Sequence, residues 1–554
     1  MRCLCRYPKS YRYPSKVSFD LKTIIKAYDV RGLAPCQLSP DVAYAIGAAF
    51  ARVVVIEPKL GSAGVPSDTG RMQVVIGQDM RQSGPQLVAA FTQALQDAGV
   101  DVIQIGLCST DGLYYAAASR GCAGAMFTAS HNPAEYNGIK MCYPKAKPVG
   151  VKTGLADIRQ LAQSYLDGNC PAPVSPQRSG VVTKVDDLPN YARFLHSLVD
   201  VSRVRRLKVV VDAGNGMAGL TAPAVLGSGA DVHAPAWPLE LVPLYWELDG
   251  SFPNHEANPL EAKNLVDLQR AVVAQGADLG LAFDGDADRC FVVDELGNTV
   301  SPSVISALVG LRELARAEAA GESHPTLIYN LILSKVVPEQ FTASGARVVR
   351  TRSGHSFIKA EMVANDAVFG CEHSGHFYFR DFWFADSGML TALHVLAALG
   401  SQPKPLSALA AQYQPYVQSG ELNTQVEDIP QVCAQVAEAM VATHPGAKVD
   451  YLDGVTVSYW DDALPVLAAP EHYDAVAVQT TASAAGSADD DAAGDVTPDD
   501  DAATRPKWWF NLRGSNTEPL LRLNVEGTDD ATMQDIRDQV LNLIRQNSGG
   551  HITP

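Results

Sequence analysis

Repeatedly along this chain a short apolar run stops abruptly at a polar turn. Ala123-Gly124-Ala125-Met126-Phe127 halts at Thr128-Ala129-Ser130-His131-Asn132-Pro133. Leu279-Gly280-Leu281-Ala282-Phe283 halts at Asp284-Gly285-Asp286-Ala287-Asp288-Arg289, and Ala367-Val368-Phe369 halts at Gly370-Cys371-Glu372-His373-Ser374-Gly375-His376. Runs this short and this apolar suit buried strands, and ligands of open α/β sheets bind where such strands end. An α/β chain with its chemistry on strand-terminal loops is the expectation.

The intervening segments support it. Ser39-Pro40 is an N-cap and first-turn pair ahead of an amphipathic helix over 41–55. A strand over 73–76, a helix over 86–98 and a strand over 102–105 then alternate as in βαβ units. The strand over 207–211 runs into Asp212-Ala213-Gly214-Asn215-Gly216, which has neither a Walker lysine nor a clean dinucleotide fingerprint and is taken as a tight turn. Towards the end, strands over 454–460, 473–480 and 520–525 precede a helix over 531–544 that should cover a small sheet. A chain of 554 residues exceeds one ordinary core and should divide into several domains at roughly 100–200 residues each.

Charge narrows the partners. A net charge of −17 argues against nucleic acid, whose phosphates need basic surfaces. An anionic substrate therefore requires a local basic pocket. No apolar run approaches the ~20 residues of a membrane span. Residues 1–21 carry Arg2, Arg6, Lys9, Arg12 and Lys16 without the apolar core of a secretory signal and are expected to be a disordered leader. The 10 cysteines form no C-x-x-C doublet, so neither zinc nor a disulfide framework is written here, and a cytoplasmic setting fits. The stretch 481–505, with Asp489, Asp490, Asp491, Asp495, Asp499, Asp500 and Asp501, is expected to be a disordered acidic insertion.

Several positions have chemistry to offer. Ser130 is a candidate nucleophile with His131 beside it as a proton carrier; a serine needs an adjacent base or an electrophile held by metal. Asp284, Asp286 and Asp288 form the oxygen set that a hard divalent cation takes. A calcium EF-hand would also place Glu295 at its twelfth position, but Arg289 stands where that loop needs glycine. Asn137-Gly138 is a turn signal that would return Lys140 towards Ser130, and Arg31 precedes Gly32, a glycine free to take positive φ. Glu372, Ser374 and His376 suit the vicinal hydroxyls of a sugar, and Arg513-Gly514-Ser515-Asn516-Thr517 supplies the basic anion pocket.

In this order the motifs resemble the α-D-phosphohexomutase superfamily, phosphomannomutase/phosphoglucomutase branch, from about residue 22 to 548. The family's phosphoserine loop matches 128–133 with its serine at Ser130, and its metal loop matches 284–289. Its sugar loop matches Glu372, Ser374 and His376, and its phosphate loop matches Arg513, Ser515, Asn516 and Thr517. Arg31, Lys140, Arg289 and His355 fall on positions used around the phosphates and the transferring proton; Lys335 is a looser match.

The resemblance implies three α/β domains and a smaller, mobile C-terminal α+β domain around one central cleft. Their expected bounds are 22–185, 186–302, 303–413 and 414–554. It implies Mg2+ on Asp284, Asp286, Asp288 and a phosphoserine oxygen of Ser130, and a hexose 1,6-bisphosphate as intermediate and activator. Phosphorylated Ser130 would pass its phosphoryl group to a hexose monophosphate and recover the other one from the bisphosphate. The stretch from Glu372 to Asp381 is closer to bacterial phosphomannomutases than to phosphoglucosamine mutases, which favours mannose 6-phosphate, with glucose phosphate as the alternative. A Mg2+-dependent phosphatase would leave the Ser130 and Arg513 loops unexplained, and a sugar-phosphate sensor would not need Ser130. The expected partner is a small hexose phosphate, with no nucleic acid and no membrane, and the expected assembly is a monomer or weak homodimer.

Overall fold

The computed structural model describes residues 20–26, 28–58, 64–68, 70–169, 179–201, 203–227, 237–460, 506–515 and 520–547. Residues 1–19, the strand expected over 473–480 and the acidic stretch 481–505 lie outside them. Order extends into the end of the expected leader: Asp20 caps the turn Leu21–Thr23, and the Leu21 side chain is fully buried. Among the described residues no helix is long and apolar enough to cross a membrane.

The described residues form a 7-stranded sheet followed by 5-stranded sheets in the second, third and fourth units. The first three share a device. In each, one apolar strand lies parallel to a neighbour and then folds back as an antiparallel hairpin. Ala123–Phe127 is parallel to Gln73–Gln78 and returns as Tyr136–Tyr143. Leu279–Phe283 is parallel to Leu207–Asp212 and returns as Cys290–Asp294. Phe369–Cys371 is parallel to Thr326–Asn330 and returns as Phe377–Phe379. The hairpin turns are the Ser130, Asp284 and Glu372 loops, so antiparallel returns, not strand-to-helix turns, present the candidate chemistry. An EF-hand needs helical flanks, and the strands around 284–289 exclude it.

Burial explains these strands. Val75 faces a core that runs through the first three units and includes Leu281 and Phe369, while Val74 and Ile76 face a separate core on the other side of the first sheet. The fourth sheet is antiparallel throughout, with Trp508–Gly514 and Leu521–Gly527 at its centre and Asp530–Asn547 packed over a core of its own. The fold is therefore three α/β units and an α+β unit.

Two turns expected from glycine are strands. Asn137 and Gly138 lie within Tyr136–Tyr143, and the hairpin bends earlier, around Asn132-Pro133. A Cβ on Gly138 would lie 2.4 Å from the Val30 carbonyl oxygen, so the glycine permits strands to approach closely. Gly32 likewise sits inside the strand Val30–Leu33, with Arg31 opposite Gly138. The helices Thr110–Ser119 and Leu155–Leu166 were not expected; the first is buried nearly all round and so shows little amphipathic period.

Candidate active site

The Ser130 and Asp284 turns touch. A Cβ on Gly285 would lie 2.5 Å from the Ser130 carbonyl oxygen, so only glycine lets the two backbones meet. Ser130 itself takes φ 50, a left-handed conformation uncommon outside glycine, and Thr128 Oγ1 accepts its amide at 2.9 Å. Ser130 Oγ donates to Asp284 Oδ2 at 2.6 Å and lies 3.3 Å from His131 Nδ1. That nitrogen accepts from Arg289 Nη2 at 2.9 Å. Burial, with Arg289 and Arg31 nearby, holds the imidazole well below its usual pKa. The hydroxyl's acceptor is thus a carboxylate of the second unit, and the sequence-adjacent histidine is a neutral acceptor for Arg289.

Asp284, Asp286 and Asp288 are 0–1% exposed and converge within 4.8 Å. Burial and the charges of Asp288 and Asp286 push Asp284 up to about 7. Lys140 Nζ reaches Asp286 Oδ2 at 2.7 Å and Asp288 Oδ2 at 2.6 Å. Against the cost of burial, Lys140, His376 and Arg289 hold Asp288 well below the usual carboxylate range. Asp286 Oδ1 and Asp288 Oδ1 are buried without a hydrogen-bond partner. Orphaned oxygens within a set of three converging carboxylates suit a hard divalent cation, and this cluster could bind one.

The third unit closes on this cluster. His376 Nε2 lies 3.5 Å from Asp288 Oδ1 and its Nδ1 lies 2.9 Å from Ser374 Oγ. Glu372 accepts from the Tyr378 hydroxyl and from Gly354 N, at the start of the helix His355–Ala364. Burial, then the charge of Lys359, pushes His355 down to about 3, so its imidazole is neutral near pH 7. Arg31 joins through Asn132 Oδ1 at 2.5 Å and pairs with Asp29 at 2.8 Å.

The remaining expected residues stand further out. Arg513 Nη2 pairs with Glu421 at 2.9 Å, and both charges act on His373 of the Glu372 turn. Ser515 follows it, with its amide on the Leu520 carbonyl at 2.8 Å; Asn516 and Thr517 lie outside the described residues. Lys335 lies at the junction of the third and fourth units, its amide on Glu526 Oε1 at 2.9 Å.

Several participants escaped sequence reasoning. Arg81 is 1% exposed and donates to the carbonyls of Ser130 (2.9 Å), Asn132 (2.6 Å), Pro133 (2.7 Å) and Tyr136 (2.9 Å), holding the Ser130 turn from below. Its only sequence signal was its place in the polar end of a strand, Asp79-Met80-Arg81. Thr110 Oγ1 donates to Asp286 Oδ2 at 2.6 Å, and Asp386, paired at 2.5 Å with buried Lys359, lies beside Asp288 and His376. Nothing local marks either of these.

Known proteins share this plan. Family models of phosphoglucomutase/phosphomannomutase match in order: alpha/beta/alpha domain I over 22–166, domain II over 189–297, domain III over 305–416 and the C-terminal domain over 421–543. They place the fold among the phosphohexomutases, isomerases that act by intramolecular phosphotransfer. The chain is 34% identical over 528 residues to the phosphohexose mutases of Xanthomonas campestris pv. campestris, covering 94% of this chain and 98% of that one. It is 34% identical over 523 residues to the phosphomannomutase of Salmonella typhimurium, with the same coverage. A phosphoglucomutase/phosphomannomutase family protein from Burkholderia thailandensis superposes with a TM-score of 0.72 at 28% identity, covering 96% of this chain and 99% of that one. The chain belongs to the phosphoglucomutase/phosphomannomutase family.

Proposed function

We propose that this protein is a Mg2+-dependent phosphomannomutase, interconverting mannose 6-phosphate and mannose 1-phosphate through phosphorylated Ser130 and a hexose 1,6-bisphosphate. The observation that carries it is the Ser130 hydroxyl 2.6 Å from Asp284, inside a carboxylate cluster bordered by Lys140 and Arg289. Asp284, Asp286 and Asp288, with a phosphoserine oxygen of Ser130, would hold Mg2+, whose chemistry there is charge neutralisation on the transferring phosphoryl group. Phosphoryl transfer needs in-line placement and charge neutralisation more than covalent help.

The chain's own residues supply the rest. Arg81 and Thr128 hold the Ser130 turn so that its Oγ faces the cluster. Lys140 and Arg289 bring positive charge to the reacting phosphate, and Arg289 also anchors the neutral His131. Arg31 faces the same loop through Asn132. His355, neutral and directly after Gly354, whose amide donates to Glu372, serves as the relay for the proton of the attacking sugar hydroxyl. Glu372 and Ser374 grip the hydroxyls that stay equivalent when the bisphosphate turns over. Arg513, Ser515, Asn516 and Thr517 hold the non-reacting phosphate, with Lys335 as a further cation from the third unit.

Mannose is favoured by the stretch from Glu372 to Asp381 and by the Salmonella relative's name. A grip on O3 and O4 barely senses the C2 epimer, and the Xanthomonas relatives are named phosphohexose mutases, so glucose phosphate is the second substrate.

The test is a coupled assay of the purified protein with Mg2+, mannose 1-phosphate or glucose 1-phosphate and a trace of hexose 1,6-bisphosphate, beside Ser130→Ala. Bisphosphate-stimulated 6-phosphate formation that disappears in Ser130→Ala is the expected result. Phosphate release that survives in Ser130→Ala would point to a phosphatase using an aspartate of the cluster, and sugar-phosphate binding without turnover would point to a sensor.

A further inference from the structure

The fourth unit meets the third through a small apolar patch of Leu331, Ile332, Trp460 and Trp509. Directional polar contacts surround the patch. Trp460 Nε1 donates to Glu339 Oε1 at 3.1 Å, Lys335 N donates to Glu526 Oε1 at 2.9 Å, Arg350 pairs with Asp450, and Ser353 N donates to Asp453 Oδ2 at 3.0 Å. The last of these differs in what stands at its two ends.

At one end, Ser353 and Gly354 precede the helix that begins with His355. Their consecutive amides go to two carboxylates, Ser353 N to Asp453 of the fourth unit and Gly354 N to Glu372 of the sugar loop at 3.3 Å. Free amides at a helix start need such acceptors, and a carboxylate there also meets the positive end of the helix dipole. Arg352 Nη2 lies 3.8 Å from Asp453 Oδ1, with its guanidinium carbon 4.4 Å from the centre of the Phe357 ring. The His355 ring in turn lies 5.0 Å from Tyr28 of the first unit.

At the other end, Asp453 is tied to the anion loop. Its carbonyl accepts from Asn511 Nδ2 at 3.0 Å. The next residue, Gly454, takes φ 67, and a Cβ there would lie 2.1 Å from the Leu512 carbonyl oxygen and 2.8 Å from Arg513 Cα. The turn therefore lies directly on the strand Trp508–Gly514, with no room for a side chain between Gly454 and Arg513.

We propose that Asp453 is a positioning residue that couples Arg513, at the end of the strand Trp508–Gly514, to His355 and Glu372. Engagement of a phosphate by the fourth unit then sets the start of the His355 helix. What the coupling serves rests on the phosphohexomutase function proposed above.

The test pairs Asp453→Ala with Asp453→Asn, which keeps an oxygen for the Ser353 amide. Losing a charge-assisted hydrogen bond at this helix start should lower kcat about tenfold in Asp453→Ala, and Asp453→Asn should recover most of it. KM for the hexose phosphate and the thermal midpoint should hold in both, because Arg513 and the fold are intact. A second readout needs no substrate: the 13Cε1 histidine NMR signal of His355, assigned through His355→Gln, should move in Asp453→Ala and stay in Asp453→Asn. If the wild-type protein shows no mutase turnover while the His355 signal behaves as expected, the function falls and the coupling stands. An unmoved signal with unchanged kcat in Asp453→Ala overturns the coupling. Equal losses in both variants with a lowered midpoint also overturn it, since the carboxylate would then only hold the units together.

Discussion

The Ser130 hydroxyl donates to Asp284 Oδ2 across 2.6 Å, joining a hairpin turn of the first unit to one of the second. Burial and the charges of Asp288 and Asp286 push Asp284 up to about 7, and its Oδ2 accepts the Ser130 proton. Asp284→Ala should therefore cut the rate at which glucose 1,6-bisphosphate phosphorylates Ser130 by roughly a hundredfold or more. Intact-mass spectrometry over a time course measures it, and a wild-type rate would remove Asp284 from the chemistry.

Lys140 holds two carboxylates that a cation would otherwise take. Lys140→Met leaves the cluster with one positive charge fewer, so it should bind a divalent cation about tenfold more tightly or better, while turnover falls. Mn2+ titration followed by electron paramagnetic resonance reads the first effect and the coupled assay the second. Weaker cation binding would mean that Lys140 organises the site rather than balances it.

Arg81 satisfies carbonyls of the Ser130 turn and pairs with Asp79 in full burial. Arg81→Met leaves a buried carboxylate and several carbonyls unpaired, at a cost on the order of 3–5 kcal/mol. Arg81→Lys should rescue little, because an ammonium cannot span the fork of acceptors. Urea unfolding gives the stability change, and proteolysis within 128–136 reports the loosened turn.

Glu526 is pushed up to about 7 by burial, while its Oε1 accepts from Trp509 Nε1 and Lys335 N. The folded protein keeps a proton that the unfolded chain releases above about pH 4.5. Glu526's contribution to stability therefore falls as pH rises from about 4.5 to 7, by on the order of 3 kcal/mol, and levels off above. Glu526→Gln keeps an acceptor for both donors and should flatten that slope. Thermal midpoints from pH 5 to 8, followed by tryptophan fluorescence, compare the two; parallel curves would show that Glu526 is ionised throughout.

The polar turns at Ser130, Asp284 and Glu372 and the acidic character of the cluster were legible from local chemistry. An apolar run that ends at a polar turn buries the run and exposes the turn, so the strands at Ala123–Phe127 and Leu279–Phe283 needed nothing distant to specify them. The capped helix start at Ser39-Pro40 was legible for the same reason.

Partnership was not. Adjacency suggested Ser130 with His131, and the two do lie 3.3 Å apart, but the shorter bonds run from the hydroxyl to Asp284 and from Arg289 to the imidazole, each across more than 150 positions. Gly32 and Gly138 suggested turns and serve strands, because a glycine's use depends on which backbone passes beside it. Arg81 matters through acceptors on a turn of its own unit far along the chain, and Thr110, Asp386 and Asp453 through groups on other units. By itself the sequence determined which segments bury, where they break and which side chains stand at the breaks. Only the tertiary structure decided which of those side chains share a proton, a charge or a hydrogen bond. Burial patterns are local along a chain, whereas hydrogen bonds and ion pairs depend on which loops the packed sheets bring within about 3 Å.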